Sequence, residues 1–369
     1  MADKPASTRG PKLVLSLVTL LMGWGLLEFG LRLVAPNAGL VPPPVPARNR
    51  LPWIAHDPVI GWVNLPGFAG RQVKSNQFDV AITIDSNGCR RAGSPPPASA
   101  GRILVTGDSF TFGHGVDDGE TFSAQLEKTL GDSEVMNAGC VGTGHDQHYL
   151  LVRAWLEAGG AKRPDQVIWG FSSADFPRNT VGFRRLVDPE TGLDYGKPRF
   201  VLRGGKLELT HVPTPEPARV EAALHEWVAA RERTHNGVAR FFRRSRAIRV
   251  AWDMAVDKME QMPLARALAV SFVEECKSRQ VPLVIVNLPT RRWLNTRNPL
   301  NRLKARLTDS LLKELADKHG ARVVDCTPAF LAAPDLDALF IPDGHYSAAG
   351  HAVVAGVIAD ELARGGATP

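Results

Sequence analysis

The stretch ILVTGDSFTFG, residues Ile103–Gly113, joins an apolar run to a Gly-Asp-Ser turn. The apolar run predicts a buried β-strand over Arg102–Thr106. Ser109 then follows the end of that strand, where its side chain projects from the edge of a sheet. Serine is common in turns, and it becomes a nucleophile only when a base lies nearby. The role of Ser109 therefore depends on what the rest of the chain brings to this edge.

The same strand-and-helix pattern continues along the chain. The predicted strands are Arg102–Thr106, Glu134–Asn137, Gln166–Phe171, Pro282–Asn287 and Ala321–Cys326. The predicted helices are Glu120–Leu130, Gln147–Ala158, Ala265–Arg279, Leu303–His319 and Ala348–Leu362. Short apolar strands that alternate with amphipathic helices predict a five-stranded parallel sheet covered on both faces. Reactive groups in such folds collect beyond the carboxyl ends of the strands.

A second candidate group lies in IPDGHYSAAGH, residues Ile341–His351. Asp343 and His345 are two residues apart, and Gly344 between them gives the backbone freedom. The loop precedes the last predicted helix, so it also belongs to the sheet edge. An acid beside a histidine fixes the imidazole tautomer and stabilises its protonated form. Together with Ser109, the order Ser…Asp-x-His is much stronger evidence for nucleophilic catalysis than either motif alone.

Charge and cysteine content exclude several classes. The 369 residues carry a net charge of +6, which fits a protein facing an anionic membrane or glycan and is too diffuse for nucleic-acid binding. The cysteines are widely spaced, at Cys89, Cys140, Cys276 and Cys326, and form no zinc-binding pattern. The sequence has no HExxH, phosphate-loop or GxGxxG motif. We therefore expect neither a metal nor a cofactor.

The N-terminus carries an apolar run over residues 13–34. As a helix it would span roughly 33 Å, enough for a bilayer core. Lys4, Arg9 and Lys12 precede it and predict a cytoplasmic N-terminus. A cleaved signal peptide is the alternative, but the run is long for one and no A-x-A site follows. We therefore predict a single-pass anchor in the cytoplasmic membrane, with the catalytic domain extracytoplasmic (periplasmic or extracellular).

Composition divides the rest of the chain. The predicted parts are a cytoplasmic tail (1–12), the anchor (13–34), a proline-rich linker (35–52), a β-containing extension (53–100) and the main domain (101–369), with an insertion at about 180–263. The insertion contains a predicted hairpin around Gly204-Gly205. Its basic stretch, residues 231–250, is interpreted as a solvated helix or as a surface for anionic lipid or glycan.

Four stretches carry a family resemblance. They are VTGDSFTFGHGVDDGETF (Val105–Phe122), VMNAGCVGTGHDQHYLL (Val135–Leu151), PDQVIWGFSSADFPRN (Pro164–Asn179) and PDGHYSAAGH (Pro342–His351). The sequence resembles the GDSL, or SGNH, hydrolases and acyltransferases, in their membrane-anchored bacterial branch. The resemblance implies a flavodoxin-like three-layer α/β/α sandwich. It covers most of the chain except the insertion.

The resemblance also assigns roles. Ser109 matches the family nucleophile, and His345 and Asp343 match the base and acid. Gly142 matches the glycine whose backbone N–H helps to bind the oxyanion, beside the N–H of Ser109. The Asp-x-His spacing departs slightly from the more usual Asp-x-x-His.

One block departs from the family pattern. Ala174 occupies the position of the asparagine whose side chain binds the oxyanion. Losing one such donor can cost roughly 100- to 1,000-fold in turnover. Ser173 could donate instead, or Asn179 could reach back, or the backbone groups of Ser109 and Gly142 could suffice. These three alternatives stay open.

Other polar residues near the motifs receive secondary interpretations. We expect Asp108 to organise the turn before Ser109 by accepting backbone hydrogen bonds. His114, His145 and His148 are expected at the surface or rim of the site. His351 is a weaker candidate base than His345, because it falls inside a predicted helix and has no adjacent acid.

The sequence thus predicts a membrane-tethered serine esterase or O-acyltransferase that acts on ester-linked acyl groups through Ser109, His345 and Asp343. The family resemblance points to acyl groups on cell-surface glycans or lipids, with no nucleic-acid partner. A catalytically weak carbohydrate-binding or assembly protein on the same scaffold is the main alternative. A third hypothesis is that the basic insertion binds a partner protein in the inner membrane.

Overall fold

A computed structural model describes residues 9–34, 49–92, 101–160, 163–187, 194–214, 220, 260–294 and 299–364. Residues 1–8 of the predicted tail, residues 35–48 of the linker and the basic stretch 231–250 lie outside these described residues. The domain boundaries inferred from composition stay predictions.

The N-terminal apolar segment forms helix α1, Arg9–Val34. Within the described part of the chain, no helix has both the length and the apolar character needed to cross a membrane. The structure therefore does not support the predicted span over residues 13–34.

Five short strands follow, β1 Asn49–Arg50, β2 Ile54–Asp57, β3 Gly61–Asn64, β4 Ala69–Lys74 and β5 Phe78–Thr83. Strands β2 and β3 form one antiparallel hairpin, and β4 and β5 form another. Residues Val80 and Ile82 of β5 point into the protein and are buried, so the extension contains β-structure as predicted.

The remaining strands are β6 Gly101–Thr106, β7 Ser133–Asn137, β8 Gln166–Phe171, β9 Phe183–Val187, β10 Asp194–Gly196, β11 Arg199–Arg203, β12 Lys206–Thr210, β13 Leu283–Asn287 and β14 Arg322–Asp325. Five of them form the central sheet in the order β14-β13-β8-β6-β7. All four pairings are parallel. The predicted five-stranded parallel sheet is confirmed, and β6, which leads to Ser109, lies inside it.

The helices after α1 are α2 Ser109–Phe112, α3 Phe122–Leu130, α4 His145–Ala158, α5 Phe176–Asn179, α6 Met262–Ser278, α7 Arg291–Leu294, α8 Pro299–His319, α9 Thr327–Leu331 and α10 Ala348–Arg364. Helices α3 and α10 pack on one face of the sheet, against Ile103 and Val286. Helices α4, α6 and α8 cover the other face, against Leu104 and Ile285. Successive residues of a strand point to opposite faces, so this alternation buries both faces of the sheet.

The insertion and the N-terminal extension meet in a small β-layer. Strand β9 pairs with β1 in parallel and with β10 in antiparallel orientation. Strands β11 and β12 form the predicted hairpin around Gly204-Gly205. Trp53, Trp62 and Leu186 from this layer share one buried cluster with Phe112 of α2. The extension therefore packs directly against the helix that begins at Ser109.

A buried arginine fixes this contact. The side chain of Arg90 ion-pairs with Asp118 at 2.8 Å. It also donates to four backbone carbonyl oxygens, those of Ala81, Phe112, Gly113 and Val116. Since its side chain has no exposed area, Arg90 holds β5 and the turn after α2 in one rigid arrangement.

Candidate active site

Ser109 is the first residue of α2, directly after the turn that ends β6. The carboxylate of Asp108 accepts a hydrogen bond from Phe110 N at 2.9 Å, which caps the helix as expected for Asp108. The first N–H groups of a helix have no acceptor inside the helix, so the backbone N–H of Ser109 is not used within α2. Ser109 is only 4% exposed.

The structure brings Ser109, His345 and Asp343 together. Ser109 Oγ lies 2.9 Å from His345 Nε2, and His345 Nδ1 lies 3.0 Å from Asp343 Oδ1. The same Asp343 oxygen accepts a hydrogen bond from His345 N at 3.1 Å. Gly344 has a φ of +94°, a conformation that glycine adopts without strain. This turn lets an acid and a histidine two residues apart face each other.

These contacts assign the protons of His345. A carboxylate only accepts hydrogen bonds, so His345 Nδ1 must carry a hydrogen and donate to Asp343. The neutral ring then leaves Nε2 as an acceptor for the Ser109 hydroxyl. The arrangement is that of a serine with a positioned base.

Asp343 is held ionised. Partial burial raises its pKa, but hydrogen bonds from His114 and His345 outweigh burial and hold the pKa well below its ordinary value. The carboxylate is therefore negative at neutral pH, and it faces His345 as a full charge.

The second oxygen of Asp343 has partners that the sequence did not indicate. His114 Nε2 lies 3.2 Å from Asp343 Oδ2, and Lys74 Nζ lies 3.1 Å from it. The rings of Phe110 and His114 pack against the ring of His345, with centroid distances of 4.9 and 4.4 Å. His114, expected at the surface or rim of the site, is 17% exposed and contacts Asp343 directly.

One group here has the spacing of a metal site. Ligand atoms of His114, Asp343 and His345 lie within 4.8 Å of one another. Hydrogen bonds from both histidines to Asp343 account for that spacing. A cation there would have to displace those bonds.

Gly142 lies in the turn after β7. Its φ of +79° favours glycine, and a Cβ atom there would come within 2.9 Å of Leu186 Cδ1. Two hydrogen bonds join this turn to the end of β6: Cys140 N donates to Gly107 O at 2.9 Å, and Thr143 Oγ1 donates to the same oxygen at 3.4 Å. The turn therefore lies beside the strand end that carries Ser109. The assignment of Gly142 as an oxyanion donor stays a prediction.

The block with Ala174 forms a short 3-10 helix, Ser173–Asp175. The backbone N–H of Ala174 donates to Ser172 Oγ at 3.3 Å. Ser173 is half-buried and lines a cavity of about 200 Å³ that Trp293 also lines. Asn179 is fully buried, and no partner for either amide atom lies among the described residues. Ser173 and Asn179 thus lie in different surroundings, and all three alternatives for the missing donor stay open.

An arginine joins three of the motif blocks. Arg178 donates to Asp108 at 3.1 Å, to Asp175 at 2.5 Å and to Thr143 O at 2.9 Å. Burial lowers the pKa of Arg178, but Asp175 and Asp108 raise it above its ordinary value. Burial and the nearby Asp108 raise the pKa of Asp175 well above its ordinary value. Sequence reasoning missed Arg178, because its position in the third block shows nothing of the contacts it makes in the first two.

Two further histidines near the motifs are buried. His145 Nε2 lies 2.9 Å from Ser172 O, and burial lowers its pKa to about 3. His148 lies between Thr143 Oγ1 and Trp169 Nε1, at 2.9 and 3.2 Å. The expectation that both are surface or rim residues is wrong. Both hold the second block in place through neutral imidazoles.

His351 accepts a hydrogen bond on Nδ1 from Phe122 N at 3.2 Å, and burial lowers its pKa to about 3. Its ring packs beside Phe122 and Tyr346. This histidine therefore braces α10 against α3, in agreement with its interpretation as a weaker candidate base.

Residues 105–353 match the sequence pattern of a family described as GDSL-like lipase/acylhydrolase. No curated protein matches the sequence.

Solved structures give more distant likenesses. A lipase/acylhydrolase from Enterococcus faecalis is 13% identical, with 71% of this chain and 95% of that chain covered and a TM-score of 0.41. A member of the lipolytic G-D-S-L family from Veillonella parvula is 14% identical, with 72% and 100% covered and a TM-score of 0.41. A catalytic mutant of an acetylxylan esterase from Geobacillus stearothermophilus is 16% identical, with 72% and 94% covered and a TM-score of 0.41.

Proposed function

The chain belongs to the GDSL-like lipase/acylhydrolase family, whose members act on ester bonds, and from that premise we propose that it is a serine esterase or acyltransferase working through Ser109, His345 and Asp343. The observation that carries the proposal is the continuous chain of hydrogen bonds from Ser109 Oγ through His345 to Asp343, at 2.9 and 3.0 Å. Such a chain gives a weak nucleophile the base it needs.

The proposed reaction has two halves. In the first, His345 Nε2 takes the Ser109 hydroxyl proton while Ser109 Oγ bonds to the ester carbonyl carbon. The resulting imidazolium returns this proton to the leaving alkoxide as the ester C–O bond breaks, and the acyl group stays on Ser109. In the second half, His345 takes a proton from water or an acceptor hydroxyl, whose oxygen bonds to the acyl carbon. The imidazolium returns this proton to Ser109 Oγ as the acyl–Oγ bond breaks, which releases the carboxylic acid or the new ester.

Charge develops on the carbonyl oxygen in both halves. We propose that the backbone N–H groups of Ser109 and Gly142 bind it. Donors of this kind act most strongly when they are fixed before the reaction, and the hydrogen bonds from Cys140 and Thr143 to Gly107 fix the two strand-end turns against each other. Ser173 or Asn179 would add a third donor.

The proposal is tested by covalent labelling of the full chain with a fluorophosphonate probe. We expect labelling of the wild-type protein and none of the Ser109→Ala variant. Ser278→Ala is the matched control, since it removes an exposed hydroxyl at the end of α6 and leaves Ser109 and its surroundings unchanged. A folded wild-type protein that never labels would overturn the proposal.

The substrate class and location are proposed from the sequence. We propose acyl esters on cell-surface glycans or lipids, reached by a catalytic domain that residues 13–34 anchor outside the cytoplasmic membrane. What supports an anchor is the apolar run and the preceding Lys4, Arg9 and Lys12. Leu20 and Leu26 of α1 are also 71% and 70% exposed.

Membrane extraction at alkaline pH tests the location. A protein that stays in the membrane fraction supports the anchor, and one that is released contradicts it. A protease added to intact cells or spheroplasts separates the two orientations, because only an extracytoplasmic domain is cleaved.

One observation favours a second candidate function. Ala174 lacks the side-chain donor that the resembled family places there, so the scaffold could bind acylated glycans without turning them over efficiently. A binding protein retains its ligand affinity in the Ser109→Ala variant and shows no wild-type labelling. An esterase labels, and its variant loses activity.

A further inference from the structure

The hairpin β4–β5 reaches the active site from outside the family match. Gln72 and Lys74 lie on β4, and the stretch that matches the family begins at residue 105. Lys74 Nζ lies 3.1 Å from Asp343 Oδ2. Gln72 Nε2 lies 2.7 Å from His114 Nδ1. The N-terminal extension therefore supplies two side chains to the surroundings of the proposed acid.

The hydrogen bonds around Gln72 have one consistent arrangement. Gly115 N donates to Gln72 Oε1 at 3.0 Å, which makes the other end of the amide a donor. Gln72 Nε2 therefore donates to His114 Nδ1. The ring hydrogen of His114 must then be on Nε2, where it donates to Asp343 Oδ2.

This arrangement requires a neutral His114. A protonated ring would place a second N–H against the amide hydrogens of Gln72. Burial also lowers the pKa of His114, although the hydrogen bond to Asp343 raises it; the nearby His345 and Lys74 lower it further. The groups that face His114 thus keep it a neutral donor.

Asp343 then receives four donors, two on each oxygen. Oδ1 accepts from the backbone and the ring of His345, and Oδ2 accepts from His114 and Lys74. A carboxylate that accepts hydrogen bonds on only one of its oxygens can rotate about the Cβ–Cγ bond. Donors on both oxygens fix the plane of the carboxylate, and with it the direction of the Asp343–His345 hydrogen bond.

We propose that Gln72, Lys74 and His114 are positioning residues that hold Asp343 in line with His345, so that the N-terminal hairpin completes the active site. This inference rests on the proposed function of Ser109, His345 and Asp343. Gln72 acts through His114, and His114 and Lys74 act through Asp343.

The kinetic test uses the full chain with p-nitrophenyl acetate and the fluorophosphonate probe. We expect His114→Phe to lower kcat and the labelling rate by about tenfold, with KM unchanged, which is the lower end of what removing a partner that orients a metal-ligating side chain costs. Lys74→Met should lower kcat by about threefold, since the contact is partly exposed. His114→Gln, which keeps a donor, should recover most of the loss.

Two comparisons separate positioning from folding. Arg71→Met is the matched control on the same hairpin, because Arg71 pairs with the exposed Asp79 at 2.6 Å, away from Asp343; it should leave kcat unchanged. The Gln72→Leu and His114→Phe effects should be non-additive, since Gln72 acts through His114. Full activity in His114→Phe, or a loss that tracks only the unfolding temperature and is not recovered by His114→Gln, would overturn the inference.

A spectroscopic measurement tests the inference even if the protein never labels. In a protein with ¹⁵N-labelled histidine, we expect the His114 ring to be neutral with its proton on Nε2, and the His345 Nδ1 proton signal to move in His114→Phe. A His114 ring with its proton on Nδ1, or a His345 signal that does not move in His114→Phe, would overturn the inference. Absent wild-type labelling would count against the proposed function alone.

Discussion

At the residue scale, Asp343 has the most demanding surroundings of the candidate site. Its side chain is 12% exposed and still carries a full charge. Burying a carboxylate is costly unless donors surround it, and here two histidines and a lysine do so. The charge is therefore positioned for a partner that becomes positive, which is what His345 does when it takes the Ser109 proton.

Replacing this charge gives the first prediction. In Asp343→Asn the amide no longer requires a hydrogen on His345 Nδ1. The hydrogen can then sit on Nε2, and His345 no longer offers an acceptor to the Ser109 hydroxyl. We expect kcat to fall by about 10³- to 10⁴-fold, measured by steady-state ester hydrolysis. Asp79→Asn, on the exposed side of β5, is the control and should retain full activity. A loss of less than tenfold would contradict the role of Asp343.

Ala174 gives the second prediction. An asparagine in the 3-10 helix after β8 would restore the donor that the family pattern contains. We expect Ala174→Asn to raise kcat by about tenfold or more, with KM little changed, because one oxyanion donor is worth 100- to 1,000-fold where it is lost. Ala174→Leu, which fills space without donating, should not raise kcat. No gain in the asparagine variant would indicate that Ser173, Asn179 or the backbone N–H groups already stabilise the oxyanion sufficiently.

The sequence was sufficient for some site residues and not for others. Ser109, Asp343 and His345 could be found because each lies in a short motif at a strand end. His114 and Lys74 could not, because their role comes from contact with Asp343, which is remote in the chain. Arg178 likewise carries no local signal.

At the element scale, the five strands and five long helices were predicted to within a few residues, since their apolar periodicity is local. The order β14-β13-β8-β6-β7 is that of a flavodoxin-like sheet, which the family resemblance implied. The apolar pattern alone could not predict it, because strand pairing depends on contacts between distant segments. Strands β9 and β10 were also missed. They are short, and β9 pairs with β1 of the predicted linker, a segment remote in the chain.

Arg90 gives a prediction at this scale. Arg90→Met would leave Asp118 and four carbonyl oxygens without their donor, between β5 and the turn after α2. Breaking a buried ion pair on one side costs about 3–5 kcal/mol, so we expect a loss of at least about 3 kcal/mol in the free energy of unfolding, measured with urea. Arg71→Met, which breaks an exposed pair of the same type, should change it by less than about 1 kcal/mol. Equal effects would contradict the proposed bracing role.

At the scale of the whole molecule, several buried histidines make the fold sensitive to acid. Burial lowers the pKa of His145 and of His351 to about 3. In the unfolded chain both titrate near 6.5. As pH falls below 6.5, the unfolded chain binds protons that the folded protein excludes, so stability is lost between about pH 6.5 and 3.

The size of this effect is the fourth prediction. Each such histidine contributes up to about 1.4 kcal/mol of lost stability per pH unit. We expect His351→Gln, which keeps an acceptor for Phe122 N, to weaken the pH dependence of the unfolding free energy. Below pH 6, the number of protons taken up on unfolding should fall by about one. Urea unfolding at a series of pH values measures this. An unchanged slope would show that His351 is protonated in the folded protein.

The distance along the chain between Ser109 and His345 determines when activity can begin during synthesis. The two residues that touch at 2.9 Å are 236 residues apart in sequence. A ribosome that adds about 5–20 residues per second needs roughly 10 to 50 s to pass from one to the other. Throughout that interval the emerging serine has no base. The nascent chain therefore cannot attack esters or trap an acyl group before its last sheet strand and the following loop with His345 have been made.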